Sequence, residues 1–159
     1  VSDLTHVDAA GAARMVDVTG KDVTSRVATA TGVMRTTAEV VELLASNGLK
    51  KGDALAVARI AGIMGAKRTS DLVPLCHPLP ISGVTVDFSL DGSDVAITAT
   101  VRTSGQTGVE MEALTAVTVA GLTLHDMIKA VDPAAVLSEV RLERKEGGKS
   151  GVWTRPEGR

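Results

Sequence analysis

The order of apolar patterns along the chain predicts an α+β domain of ferredoxin-like βαββαβ type, an antiparallel sheet with helices packed on one face. Three observations predict it: a hairpin written in period-two alternation over residues 84–101, a strand and a helix pair ahead of it, and a long apolar helix with one more strand behind it. Val27, Thr29, Thr31 and Val33 alternate within residues 25–34, which suits the first strand. Thr36 and Glu39 have capping-box spacing, Val40, Val41, Leu43 and Leu44 supply an apolar stripe, and Asn47-Gly48 offers a left-handed stop, so a short helix is expected between them. Lys50-Lys51-Gly52 then makes a basic turn, and Asp53 can cap a second helix carrying Leu55, Val57, Ile60, Ile63 and Met64 toward Lys67-Arg68. After the stiff loop Pro74-Leu75-Cys76-His77-Pro78-Leu79-Pro80, the hairpin is spelled by Val84, Val86, Phe88 and Leu90, a turn at Asp91-Gly92, then Val95, Ile97, Ala99 and Val101. Thr107 and Glu110 repeat the capping-box spacing and open a helix that can run to about Val131, before Asp132-Pro133 ends it. Val140 and Leu142 mark the last strand. Residues 1–24 read as an irregular or edge-strand arm, 25–146 as the domain proper, and 147–159 as a glycine-rich, partly mobile tail.

A chain of 159 residues buries enough surface for one self-supporting core, and its lone cysteine, Cys76, cannot form an intrachain disulfide. Hydrophobic residues make up 44% but aromatics only 1%, so alanine, valine and leucine must fill that core. Seventeen basic against 19 acidic side chains leave a formal charge of -2, which gives no global field for a polyanion such as DNA; any anion site must be local. A single-stranded RNA platform needs aromatic faces, and only Phe88 and Trp153 are on offer. The longest apolar stretch, around residues 113–124, is broken by Thr115, Thr118 and Thr123 and is too short to span a bilayer; the cytosol is the expected compartment. Apolar residues surround much of the long helix, from Val109 and Met111 to Met127 and Ile128. One sheet covers only one side of such a helix, so self-association is expected.

Several residue groups have the chemistry of a site. Asp126 and Lys129 lie three apart and share a helix face, as an acid/base pair would, although an exposed pair of this spacing is ordinarily worth under about 1 kcal/mol. Glu112 falls on the first turn of the same helix, where the dipole favours a carboxylate, and Glu110 is accounted for by the capping box. Asp126 lies fourteen positions beyond Glu112, about 21 Å along one unbroken helix, so both can serve one small ligand only across a subunit boundary. His77, among prolines, presents its imidazole in a fixed orientation. One cysteine and the scattered His6, His77 and His125 lack the short spacings of a zinc site, and no metal is expected. Gly147-Gly148-Lys149-Ser150-Gly151 has the end of a phosphate loop, but Glu143 stands where a Walker loop requires glycine, which leaves at most a flexible phosphate clamp. Lys21, Arg26, Lys51, Lys67, Arg68 and Lys145 add positive charge around a polyphosphate if the fold gathers them.

Taken in order, Leu4-Thr5-His6-Val7-Asp8, Met15-Val16-Asp17-Val18, Lys51-Gly52-Asp53, Ala58-Arg59-Ile60-Ala61-Gly62, Ala66-Lys67-Arg68-Thr69, Pro74-Leu75-Cys76-His77-Pro78-Leu79, Thr107-Gly108-Val109-Glu110-Met111-Glu112-Ala113-Leu114-Thr115, Asp126-Met127-Ile128-Lys129-Ala130-Val131 and the Gly147–Gly151 block resemble the MoaC family, the cyclic pyranopterin monophosphate synthases of molybdenum-cofactor biosynthesis. The resemblance spans roughly residues 4–151. It implies a lyase that rearranges 3′,8-cyclo-7,8-dihydro-GTP into a pyranopterin, cyclises the inner phosphate and expels pyrophosphate. The substrate would come from a radical-SAM GTP cyclase. By motif, Lys51, His77, Asp126 and Lys129 resemble the catalytic group, Leu75, Cys76, His77, Met111 and Glu112 the substrate-contacting segments, and Lys145 and Lys149 the tail lysines that meet the phosphates. Of the adjacent Lys50 and Lys51, Lys51 directly precedes Gly52-Asp53 and is the one expected to point inward. The resemblance further implies a homohexamer, a trimer of dimers with sites at subunit interfaces, no tightly bound cofactor, and Mg²⁺ only as a companion of the triphosphate. The competing reading is a non-catalytic nucleotide sensor, since ferredoxin-like domains also bind ligands without chemistry.

Overall fold

The computed structural model describes residues 4–159. Its elements are β1 (Thr24–Arg35), α1 (Ala38–Ser46), α2 (Ala54–Lys67), a single turn α3 (Thr69–Leu72), β2 (Ile81–Asp91), β3 (Asp94–Gly105), α4 (Glu110–Ile128), β4 (Val136–Glu146) and β5 (Trp153–Thr154). The five strands form one sheet in the order β2-β3-β1-β4-β5, every pair antiparallel. The first four strands with α2 and α4 make the expected ferredoxin-like βαββαβ arrangement. The tail is not all loop: β5 returns beside β4, Lys145 opposite Trp153, and Arg155 donates its backbone N–H to the Glu143 carbonyl at 2.8 Å.

Period-two burial decides which way the sheet faces. Ala28, Ala30 and Met34 of β1 and Val95, Ile97, Ala99 and Val101 of β3 are buried toward the helices, while Thr29, Thr31, Thr98 and Thr100 on the other face are half-exposed. Small residues set the spacing between layers. A Cβ at Gly32 would stand 2.8 Å from Val117, and one at Gly62 would stand 3.0 Å from the Ala116 carbonyl oxygen, so β1 and α2 both approach α4 closely. This is how a core nearly without aromatics closes. Phe88 joins that core on the helix side with the Arg59 guanidinium 5.9 Å from its ring, which removes it from any RNA-stacking role.

α2 also covers part of the apolar girth of α4, lying beside it on the same face of the sheet, with Gly62 close both to Val86 of β2 and to Ala116 and Ala120 of α4. Apolar side chains nevertheless stay outside: Leu122 is 68% exposed on α4, and Val57, Ile60 and Met64 are exposed along one side of α2.

Local caps depart from the expected ones. Thr37, not Thr36, caps α1, accepting the Val40 N–H at 3.2 Å, because Thr36 is still tied to the hairpin through its N–H to the Ser93 carbonyl and donates its hydroxyl to Asp132 at 2.7 Å. The box of Thr107 and Glu110 does not form either. α4 starts at Glu110 behind a buried Val109, and the Glu110 carboxylate is taken by Lys145, 3.3 Å away. The helix also stops at Ile128 rather than near Val131, because the N–H groups of Val131 and Asp132 both fold back on the Ile128 carbonyl. Asn47 does adopt the left-handed stop, at φ 55°, and Asp53 does cap α2 by accepting the Ala56 N–H at 3.0 Å.

Candidate active site

Two groups of functional side chains stand at opposite ends of α4. At its C-terminal end Asp126 lies between two lysines. Lys129, one turn further on, brings its Nζ to 2.8 Å from Asp126 Oδ1; Lys51, from the turn between α1 and α2, donates to the Asp126 carbonyl at 2.9 Å and reaches Oδ2 at 3.4 Å. Of the two adjacent lysines, Lys51 makes this contact. Gly52, at φ 102°, turns the backbone sharply there, and the Asp53 cap fixes the start of α2 directly behind it. Hydrogen bonding from Lys129, its charge, and then the charge of Lys51 hold the Asp126 carboxyl below its ordinary range, so the group is a carboxylate pinned by two ammonium ions. All three side chains are about half exposed. Such a cluster can exchange protons with a ligand that approaches from outside.

At the N-terminal end a cavity of about 240 Å³ opens above the first turn of α4. Leu75, Cys76, His77 and Leu79 form one wall, Glu110, Met111 and Glu112 another, and Thr5, His6, Val16, Val18 and Lys21 of the arm a third. The loop wall is tied at its end to β3, where the Thr103 hydroxyl donates to the Pro80 carbonyl at 2.7 Å. Glu112 is 4% exposed, and burial pushes its carboxyl up to about 7, against the opposing effect of its own N–H and with help from the negative charge of Glu110. A second, smaller cavity of about 50 Å³ also meets His77 and Glu112, so this carboxylate divides two spaces. Burial, then the charges of Glu112 and Glu110, raise the Cys76 thiol, which disfavours a thiolate nucleophile there.

The arm is folded enough to serve as a wall. Arg14 donates to the His6 carbonyl at 2.9 Å, Val7 bridges Ala13, and the Asp8 carboxylate accepts the N–H groups of Ala10 and Ala12. Its part in the cavity was not foreseen from the sequence, where residues 1–24 carry no periodic signal. Of the scattered cations, the fold gathers Lys21, Arg26 and Lys145 beside the cavity and adds Lys149; Lys67 borders the small cavity behind His77, and Lys51 lies at the far end of the helix. Among the described residues no three His, Cys, Asp or Glu side chains are placed to hold a metal ion, and no helix is long and apolar enough to cross a membrane. Because α4 is unbroken from Glu110 to Ile128, the fourteen-position step from Glu112 to Asp126 spans about 21 Å, and one copy does not bring the two groups together.

The sequence model of the MoaC family matches residues 15–148. The chain belongs to the MoaC family. The matched span holds Lys51, His77, Glu112, Asp126, Lys129 and Lys145, and ends one residue before Lys149. Among MoaC-family relatives, a protein of Streptomyces coelicolor called cyclic pyranopterin monophosphate synthase is 67% identical over 152 residues, covering 96% of this chain and 89% of the relative. Cyclic pyranopterin monophosphate synthase 2 of Mycobacterium tuberculosis H37Rv is 61% identical over 153 residues, with 96% and 92% covered. A Corynebacterium glutamicum protein of the same description is 60% identical over 154 residues, with 97% and 99% covered.

Proposed function

We propose that this chain is a cyclic pyranopterin monophosphate synthase of molybdenum-cofactor biosynthesis, a phosphorus–oxygen lyase that converts (8S)-3′,8-cyclo-7,8-dihydroguanosine 5′-triphosphate to cyclic pyranopterin monophosphate and pyrophosphate. Near-full-length identity of 60–67% to relatives of that description supports the reading. The observation that carries it structurally is the pair of half-sites at the two ends of α4. One offers an acid-lined cavity for a heterocycle bearing N–H donors, the other a lysine–aspartate–lysine relay.

Glu112 accepts the N–H edge of the guanine-derived ring, Met111 packs against it, and His77 with Leu75 and Cys76 fixes its plane. The Asp126, Lys51 and Lys129 relay of a neighbouring copy moves protons at the ring nitrogens and sugar hydroxyls. To close the cyclic phosphate, a hydroxyl oxygen forms a bond to the inner phosphorus, the bond to the bridging oxygen of the leaving pyrophosphate breaks, and the hydroxyl proton passes to a base. Lys145 and Lys149 neutralise charge on the departing group. Mg²⁺, where needed, travels with the triphosphate. Copies assemble as a homohexamer, a trimer of dimers, and the apolar side chains left outside on α2 and α4 supply surface for that association. The substrate arrives from a radical-SAM GTP cyclase, in the cytosol.

The test is to incubate pure protein with the cyclised nucleotide and follow pyrophosphate. Turnover is expected from the parent protein. Asp126→Ala is expected to lower kcat about 100-fold or more, as loss of a proton-transfer group does, with the oligomer and its circular dichroism unchanged. Tight binding without any pyrophosphate release by the parent would point instead to a sensor.

A further inference from the structure

The cluster of Asp126, Lys129 and Lys51 is assembled from two pieces of chain that arrive separately, the end of α4 and the turn after α1. Its contacts leave little slack. Proton transfer needs heavy atoms within about 3.2 Å of each other. Lys129 Nζ meets Asp126 Oδ1 at 2.8 Å, whereas Lys51 Nζ already stands 3.4 Å from Oδ2. Apolar packing joins the two pieces, since Val40, Val41 and Leu44 of α1 share a buried cluster with Leu124, Met127 and Ile128 of α4. Such packing is non-directional, so it holds the pieces together without fixing how their ends are aimed.

The directional link is one hydroxyl. Thr36, between β1 and α1, donates its hydroxyl to Asp132 Oδ2 at 2.7 Å across 96 positions of sequence. Asp132 Oδ1 accepts the Ala134 N–H at 3.1 Å, and the Val131 and Asp132 N–H groups turn back on the Ile128 carbonyl. Asp132 thereby closes the loop that directly follows Lys129. Thr36 is itself fixed, its N–H donating to the Ser93 carbonyl of the hairpin turn at 2.9 Å. Its neighbour Thr37 caps α1, whose far end passes through Asn47 and Gly48 to Lys51. Thr36 and Asp132 are both half-buried, and neither borders the cavity beside Glu112. Arg35, next to Thr36, is taken by Asp94 and Glu139 at 3.2 and 3.0 Å, and among the described residues Asp132 has no ion pair.

We infer that Thr36 is a positioning residue of the reaction: through Asp132 it fixes the end of α4 that carries Asp126 and Lys129 against the segment that delivers Lys51. This rests on the synthase reading and adds to it two residues that lie outside both half-sites.

The experiment uses the full chain and two readouts, steady-state turnover and titration of the Asp126 carboxyl followed by carbon NMR, which needs no substrate. Thr36→Val keeps the shape and removes the hydroxyl. It is expected to lower kcat about tenfold, as a small misplacement of reacting groups does, with KM within about twofold of the parent. It is also expected to move the Asp126 carboxyl up toward its ordinary range as the two lysines loosen. Thr36→Ser, which keeps the donor, restores both. Asp132→Ala gives the same losses, and the double variant loses no more than either single one, because both remove one bond. Arg35→Ala, which breaks the neighbouring ion pairs and leaves this bond intact, moves neither readout. Failure of Thr36→Ser to restore kcat, or an Asp126 titration that Thr36→Val leaves in place, would overturn the inference. A parent protein that turns over no nucleotide, while Thr36→Val still shifts the Asp126 titration and Thr36→Ser restores it, would bring down the synthase reading and leave the positioning of the cluster standing.

Discussion

Glu112 shows how far burial can change the meaning of a residue that sequence alone explains away. On the first turn of a helix a carboxylate is already favoured by the dipole, so spacing gives no reason to look further. The hint lay in the apolar residues around it, Val109, Met111, Ala113 and Leu114, with only Glu110 and Thr115 polar beside them. With its carboxyl at about 7 in the fold and 4.5 ordinarily, the folded state holds a proton that the unfolded chain has lost over that interval. Its contribution to stability is therefore complete below pH 4.5 and is lost as pH rises to about 7, by about 2 kcal/mol once access of water from the cavity is allowed for. Glu112→Gln is expected to flatten this slope in urea unfolding between about pH 5 and pH 8, and a variant that keeps the parent's slope would assign it to another group. Asp126 and Lys129 were legible by their spacing of three, but the spacing could not give the third member. Lys51 joins them from 75 residues away, a contact only the folded chain makes.

The elements were legible wherever apolar periodicity ran long: the hairpin, the second helix and the long helix all fall where the pattern puts them, because each buries one continuous stripe. Ends were less legible, because a helix start depends on what else competes for its capping groups. Thr36 and Thr37 are equal as sequence. The strand keeps pairing through Thr36, and Asp132 captures its hydroxyl, which leaves Thr37 to cap α1. Thr37→Ala is accordingly expected to cost about 1 kcal/mol in chemical denaturation, the ordinary worth of an N-cap. Glu39→Ala, which removes no reciprocal bond, is expected to cost no more than a few tenths. At the other helix, the bond between Glu110 and Lys145 replaces the expected capping box and links the start of α4 to the end of β4. Neither residue's pattern could announce a partner 35 positions away.

Whether the molecule works as one copy or several turns on the rigidity of α4. Glu112 and Asp126 ride on one unbroken helix whose core face is locked between β1 and α2, with Val117 against Gly32 and Ala116 and Ala120 against Gly62, so bending cannot close the distance between them. If each working site takes its cavity from one copy and its lysine–aspartate relay from another, two inactive proteins with lesions in different halves contain every part of a good site. Glu112→Ala copies keep the relay, and Asp126→Ala copies keep the cavity. Dissociated, mixed in equal amounts and reassembled, they are expected to regain about a quarter of parental kcat, because one pairing of halves in four is undamaged in both. Mixing without dissociation should regain nothing until subunits exchange. A shared site requires that recovery, and a site completed within a single chain forbids it, so reassembled mixtures as inactive as the separate variants would confine the chemistry to one copy.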